Sequence, residues 1–182
     1  MSGGRDPAIT KWDHVITERL VATRARAGWG SAVTYRKTGL TITEAATVSE
    51  RTLVLIKPDA VGRGLVGEVL SRFEAKGLTI EAMTLRTMDA ALADEHYAEH
   101  VEKPFYPPLK AFMTSGPLVA LILSGDQAIE VVRTLTGPTD GRKAPGGTIR
   151  GDFSLSNREN LVHASDSPES AKRELELWFP DA

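Results

Sequence analysis

Two unbroken apolar runs limit what this chain can fold into. Leu53-Val54-Leu55-Ile56 and Leu118 to Leu123 contain no polar residue that would turn one face of a strand to water. A strand with one wet face alternates, whereas a run without alternation belongs to a strand covered on both faces. The sheet is therefore expected to lie between other layers. Residues 64–76 supply one of them. Leu65, Val66, Val69, Leu70 and Phe73 recur at spacings of three and four, and Gly77 stops the pattern. Residues 78–87 read as a second strand whose phase slips at Ala82-Met83, as at a bulge. Residues 89–115 read as a helical insertion, capped by Asp89 and divided by Pro104, Pro107 and Pro108. Asp126 is read as the cap of a helix with Ala128, Val131, Val132 and Leu135 on its apolar face. Residues 136–148 form a Gly- and Pro-rich loop, and Leu161 to Ser165 form the last strand. Ser167 caps a final helix with Pro168 in the favoured first position. This order is α/β or α+β. Periodicity does not choose between a parallel doubly wound sheet and an antiparallel ferredoxin-like one.

The 182 residues are 41% hydrophobic and 25% charged, with a formal net charge of -2. This is a globular composition, and bulk electrostatics indicates neither a nucleic-acid nor a membrane partner. An anionic substrate would have to be held by locally clustered Lys and Arg. With no cysteine in the chain, disulfides, thiolate zinc sites and cysteine nucleophiles are excluded. No apolar run approaches membrane-spanning length and the N-terminus has no apolar signal core, so a cytoplasmic protein is expected. Residues 1–49 read differently from the rest. A helix is expected over 11–26 and an extended linker over 40–49, which together make a mobile or partly helical extension without chemistry.

Gly62-Arg63-Gly64-Leu65-Val66-Gly67 matches the dinucleotide-binding pattern between a strand and a helix. The match is set aside. The acid wanted about twenty residues on, Glu81, falls inside the second strand, and five residues separate the apolar run from the first Gly. No P-loop pattern is present either.

The chemistry-bearing stretch is Asn160-Leu161-Val162-His163-Ala164-Ser165-Asp166-Ser167. On a strand, Leu161, His163 and Ser165 share one face. An imidazole is a good phosphoryl acceptor, with one nitrogen to attack and another to be oriented. A lone His is more often structural, and His14, His96 and His100 are read that way. His163 differs because the helix that follows it carries Glu174 beside the inward stripe of Ala171, Leu175 and Trp178. A carboxylate there needs a partner. Spacing leaves two open, the imidazole or the neighbouring Lys172 and Arg173. Lys57 ends the first buried strand, Arg133 lies on the preceding helix, Thr139 in the loop and Arg150 before the His strand. Two guanidiniums, an ammonium and a hydroxyl together suit a di- or triphosphate.

Ordered blocks then carry a resemblance. They are Thr52-Leu53-Val54-Leu55-Ile56-Lys57-Pro58-Asp59, Glu95-His96-Tyr97, Lys103-Pro104-Phe105-Tyr106, Thr114-Ser115-Gly116-Pro117, Gly147-Thr148-Ile149-Arg150-Gly151-Asp152-Phe153, Asn160 to Ser167 and Leu177-Trp178-Phe179. Over residues 50–182 the chain resembles the nucleoside diphosphate kinases. The resemblance implies an α+β fold, a ferredoxin-like four-stranded antiparallel sheet with helices packed on it and a helical insertion after the second strand. It implies ping-pong transfer of the terminal phosphate of a nucleoside triphosphate, usually ATP, to nucleoside diphosphates through a phosphohistidine on His163. Lys57 and Asn160 are then expected at the ribose hydroxyls, with Lys57 also near the transferring phosphate. Tyr97, Arg133, Thr139 and Arg150 are expected at the phosphates, Phe105 on the base, and Glu174 with Ser165 orienting the imidazole. Mg²⁺ is expected to arrive with the nucleotide rather than in a protein cage, and a homo-oligomer, hexamer or tetramer, is expected. Ala164 stands where the family usually has Gly, Asn157 near the base where an apolar residue is common, and Pro138 and Gly141 alter the phosphate-side loop.

Overall fold

The computed structural model describes residues 49–182 in full, together with the backbone of three short strands in the preceding segment. The chain divides into two compact units, residues 1–48 and 49–182. In the first unit, β1 (Val21–Arg24), β2 (Val33–Lys37) and β3 (Leu40–Thr43) form an antiparallel sheet in the order β1-β2-β3. Residues 21–24 are thus strand where a helix was expected over 11–26, and residues 40–43 are paired strand rather than free linker. The rest of both expectations lies outside the described residues. The β-branched and aromatic character of Val33-Thr34-Tyr35 and Thr41-Ile42-Thr43 favours the pleated conformation.

The second unit is built on a four-stranded sheet. Its strands are β4 (Glu50–Ile56), β5 (Thr79–Thr87), β6 (Pro117–Gly125) and β7 (Val162–Ala164). They lie in the order β5-β6-β4-β7 and every pairing is antiparallel. The two unbroken apolar runs are the two central strands. Along β4, Val54 and Ile56 enter one core, while Leu53 and Leu55 enter the other on the opposite face. The first core lies under α2 (Val66–Ala75), α5 (Ala128–Thr136) and Ile149 of α6 (Ile149–Phe153). The second lies under α3 (Ala90–His96), α4 (Tyr106–Met113) and α7 (Pro168–Trp178). Each fully buried aliphatic side chain in these layers contributes about 1.5–3 kcal/mol. The strand-helix-strand, strand-helix-strand order with an antiparallel sheet is the ferredoxin-like α+β arrangement.

Two of the three expected helix caps are present. Asp89 caps α3 by accepting from the Leu92 amide at 2.8 Å, and Ser167 caps α7 by accepting from Ser170. The bulge in β5 falls at Glu81, between Ile80 and Ala82, one residue earlier than the phase slip suggested. Asp126 does not cap α5. The cap residue is Gln127 in the left-handed region (φ 50°), and Glu50 of β4 reaches over to accept from the Ile129 amide at 2.8 Å. A remote carboxylate thereby satisfies the helix start. A short helix, α1 (Pro58–Gly62), begins directly after β4. A Cβ on Gly62, Gly64 or Gly67 would meet no atom within 4 Å. These glycines therefore serve no close helix-strand approach of the kind the dinucleotide pattern requires.

Candidate active site

The site forms where β4 ends beside the start of β7. Register pairs Leu55 with His163 and Ile56 with Val162, and the Lys57 amide donates to the Leu161 carbonyl at 2.8 Å. Pairing of central strand β4 with edge strand β7 therefore brings Lys57 and His163 together although they are far apart in sequence. Leu161 does not share the face of His163. Its φ is 73°, which breaks the alternation, and its side chain joins the core under α2 and α5 with Val162 and Ala164. That unfavourable backbone is held by Asp59 Oδ2, which accepts from the Leu161 amide at 3.1 Å. Asp59 was assigned no role from sequence. Its signal was a carboxylate placed directly after a buried strand. The Ala164 methyl is itself buried in that core, so the departure from Gly is absorbed by packing.

His163 lines a cleft of about 860 Å³ with its side chain 22% exposed. Its Nε2 lies 3.1 Å from Glu174 Oε2. With the carboxylate ionised, Nε2–H donates, and the lone pair remains on Nδ1. Glu174 is buried, and the same Oε2 accepts from Ser165 Oγ at 2.8 Å. Burial raises the Glu174 carboxyl pKa, but the hydrogen bonds from His163 and Ser165 and the electrostatic influence of the His163 and His96 rings outweigh it and leave the pKa low. Its Oε1 lies 3.7 Å from Arg173 Nη2, so both partners left open by spacing are used, one per oxygen. Ser165 is buried behind Glu174 and is absent from the cleft wall.

Lys57, Tyr97, Phe105, Arg133, Thr139, Arg150 and Asn160 all line the same cleft. Lys57 is buried and donates to Asn160 Oδ1 at 2.6 Å. Desolvation and the Arg150 charge lower its pKa to about 7, against the opposing pull of Asp59. Asn160 Nδ2 donates to the Thr139 and Asn157 carbonyls at 2.8 and 3.0 Å, which ties the loop to the cleft. Arg150 donates to the carbonyls of Asn160, Gly137 and Val162 at 3.2, 2.9 and 2.6 Å. It therefore both braces the start of β7 and keeps a half-buried cation with no carboxylate partner among the described residues. Burial and Arg133 lower its pKa to about 10. The position after Arg150 tolerates only glycine, because a Cβ on Gly151 would run into the Pro145 carbonyl. Tyr97 stands edge-on to His163 at 6.3 Å, and burial raises its phenol pKa. Phe105 is 52% exposed, an aromatic face open to solvent at the cleft. Arg142, Arg158, Glu159 and Asp166 also line the cleft and were not singled out from sequence.

One group of three side chains with metal-ligating atoms falls together among the described residues: His96, His163 and Glu174. Two nitrogens and one carboxylate do not make a Mg²⁺ site, which takes oxygen donors. No helix among the described residues is long and apolar enough to cross a membrane.

The sequence profile of the family described as nucleoside diphosphate kinase matches residues 50–182. A nucleoside diphosphate kinase from a Nocardioides species is 73% identical over 133 residues, covering 73% of this chain and 98% of the relative. The enzyme of that name from Staphylothermus marinus is 61% identical over 133 residues, covering 73% and 94%. Among solved structures, the Halobacterium salinarum nucleoside diphosphate kinase in complex with CDP aligns with a TM-score of 0.72 at 45% identity, covering 73% of this chain and 89% of that one. The Aquifex aeolicus enzyme aligns with a TM-score of 0.70 at 43% identity, covering 72% and 95%. On this profile, these identities and this fold, the chain belongs to the nucleoside diphosphate kinase family.

Proposed function

We propose that His163 carries the phosphoryl group and that the cleft residues described above bind the nucleotide. The enzyme transfers the terminal phosphate of a nucleoside triphosphate to a nucleoside diphosphate in two half-reactions through a phosphohistidine. One observation supports His163 most strongly. Its Nε2 is tied to the buried Glu174 at 3.1 Å, and the ring still opens to a cleft lined by Lys57, Arg133 and Arg150.

In the first half-reaction the Nδ1 lone pair attacks the γ-phosphorus in line. The bond from that phosphorus to the bridging oxygen breaks, and the nucleoside diphosphate leaves with the electron pair. Glu174 stays ionised and stabilises the Nε2–H as the ring becomes electron-poor. Lys57, Arg133 and Arg150 offset the charge of the moving group, with little reorganisation because Arg150 is already held by three carbonyls. In the second half-reaction a terminal phosphate oxygen of the acceptor attacks the phosphohistidine, and the Nδ1–P bond breaks. The ribose hydroxyls enter the Lys57–Asn160 hydrogen bond, and Tyr97 and Thr139 contact the phosphates. Mg²⁺ comes with the phosphates as part of the substrate and helps neutralise their charge. The Halobacterium relative's CDP complex supports reading the ligand as a nucleotide.

Phe105 offers a face rather than hydrogen bonds, so it does not discriminate among bases. Purine and pyrimidine, ribo- and deoxyribonucleotides are all expected as substrates. We also place the enzyme in the cytoplasm as a homo-oligomer. The half-exposed Met83 and Leu85 on edge strand β5 support self-association, which light scattering would test. Initial rates with ATP and a panel of diphosphates should give the parallel double-reciprocal lines of ping-pong kinetics for every base. Intersecting lines, or turnover of a single base, would contradict the proposal.

A further inference from the structure

His96, at the end of α3, is a buried imidazole that the mechanism above does not use. It is 3% exposed, and its ring stands edge-on to the His163 ring, with centroids 4.7 Å apart and planes at 78°. Its Nδ1 receives a hydrogen bond from Trp178 Nε1 at 3.2 Å. An indole N–H only donates, so Nδ1 must be the unprotonated nitrogen and Nε2 carries the proton. Nε2 itself is buried with no hydrogen-bond partner among the described residues. Trp178 lies four residues after Glu174 on α7, one turn along the same face. One helix therefore holds two neighbouring imidazoles, His163 through Glu174 and His96 through Trp178.

We propose that His96 is a positioning residue for phosphoryl transfer, a neutral and tautomer-locked ring that Trp178 fixes so that it holds the plane of His163. A single hydrogen bond from Nε2 to Glu174 leaves the His163 ring free to rock about the N···O axis. An edge-on neighbour at 4.7 Å removes that rotation and aims Nδ1. The lock has a second consequence. The Nδ1 lone pair of His96 is taken by Trp178 and its Nε2 is protonated, so of the two adjacent imidazoles only His163 has a lone pair to attack phosphorus. Charge on His96 would also draw Glu174 away from His163. The surroundings oppose that charge. Burial comes first, then His163 on β7, with Arg173 and Lys57 acting in the same direction and Glu174 alone opposing, and together they hold the His96 pKa down to about 3.

This inference rests on His163 as the phosphorylated residue, and the experiment separates the two claims. Single-turnover labelling by γ-labelled ATP with Mg²⁺ would be measured for the full chain, His96→Ala, His96→Phe and Trp178→Phe, alongside steady-state kcat and KM. Nitrogen NMR of the histidines would be recorded from about pH 5 to pH 8. His96 should remain the Nε2–H tautomer throughout that range in the native chain and become a tautomer mixture in Trp178→Phe. His96→Ala should slow labelling about tenfold to a hundredfold, the cost of a misaimed nucleophile, with KM changed less than about twofold. His96→Phe should recover most of that loss, because a ring again supports His163. If His96→Ala does not fold, Trp178→Phe carries the test and should slow labelling with KM unchanged. Native labelling rates in His96→Ala or Trp178→Phe, a loss confined to KM, or titration of His96 within that range would overturn the positioning role. Absence of label on His163 in the native chain would instead overturn the reading on which it rests.

Discussion

At Lys57 the fold forces an ammonium into a place where water cannot solvate it and Arg150 repels it. With its pKa lowered to about 7, the side chain is largely neutral at about pH 8 before nucleotide binds. A bound phosphate favours the cation and raises that pKa again. Nucleotide binding above pH 7 should therefore take up a proton, and affinity should fall as pH rises past the lowered pKa. Below that pKa the group is already charged, and binding should take up none through it. Calorimetry of ADP binding at about pH 8, in buffers of different ionisation enthalpy, should show uptake approaching one proton for the native chain and markedly less for Lys57→Met. Equal uptake in both would assign the proton elsewhere. Sequence reading found Lys57 because an ammonium directly after a buried strand is conspicuous. It missed Asp59 and the support given by His96, because their partners, the Leu161 amide and the Trp178 indole, are distant in sequence.

Strand β7 shows how far element patterns reach. Its two-residue alternation is sound from Val162 onward and fails at Leu161, whose positive φ places it in the core with Val162. Alternation presumes extended backbone, and nothing in a leucine announces the left-handed region. A Leu161→Gly change relieves that strain, about 1–2 kcal/mol, but deletes a fully buried side chain worth about 2–5 kcal/mol. Burial wins, so denaturant unfolding should show net loss of stability. A stabilised Leu161→Gly would mean that the core does not use this side chain. The long elements, β4, α2, β6 and α7, were legible because they carry several periods of their pattern. The five-residue helices α1 and α6 were not, since neither completes two turns. Gln127 was hidden for another reason. The α5 start is satisfied by Glu50, some eighty residues earlier, and no local capping signal exists to be read.

Across the whole molecule, the sheet's two covered faces followed from the two apolar runs, but its antiparallel strand order did not. Parallel and antiparallel central strands are equally apolar when both faces are covered, so only the resemblance in the ordered motif blocks separated them. Every residue named in the proposed site lies between Lys57 and Trp178, within the unit of residues 49–182. We therefore propose that residues 1–49 form an extension that supplies no catalytic group. A chain beginning at residue 49 should keep kcat within about twofold of the full chain, since removing groups that do not touch the transition state leaves its barrier unchanged. Loss of turnover in a folded truncation would place a required residue in the extension.

The most direct test is the chemical identity of the intermediate. The full chain, mixed with γ-labelled ATP and Mg²⁺, should acquire an acid-labile, base-stable label. Mass spectrometry should place that label on His163, phosphorus NMR should place it on Nδ1, and CDP should discharge it as CTP. His163→Ala should take up none. Label on another residue, label that CDP does not remove, or turnover by His163→Ala would contradict the account.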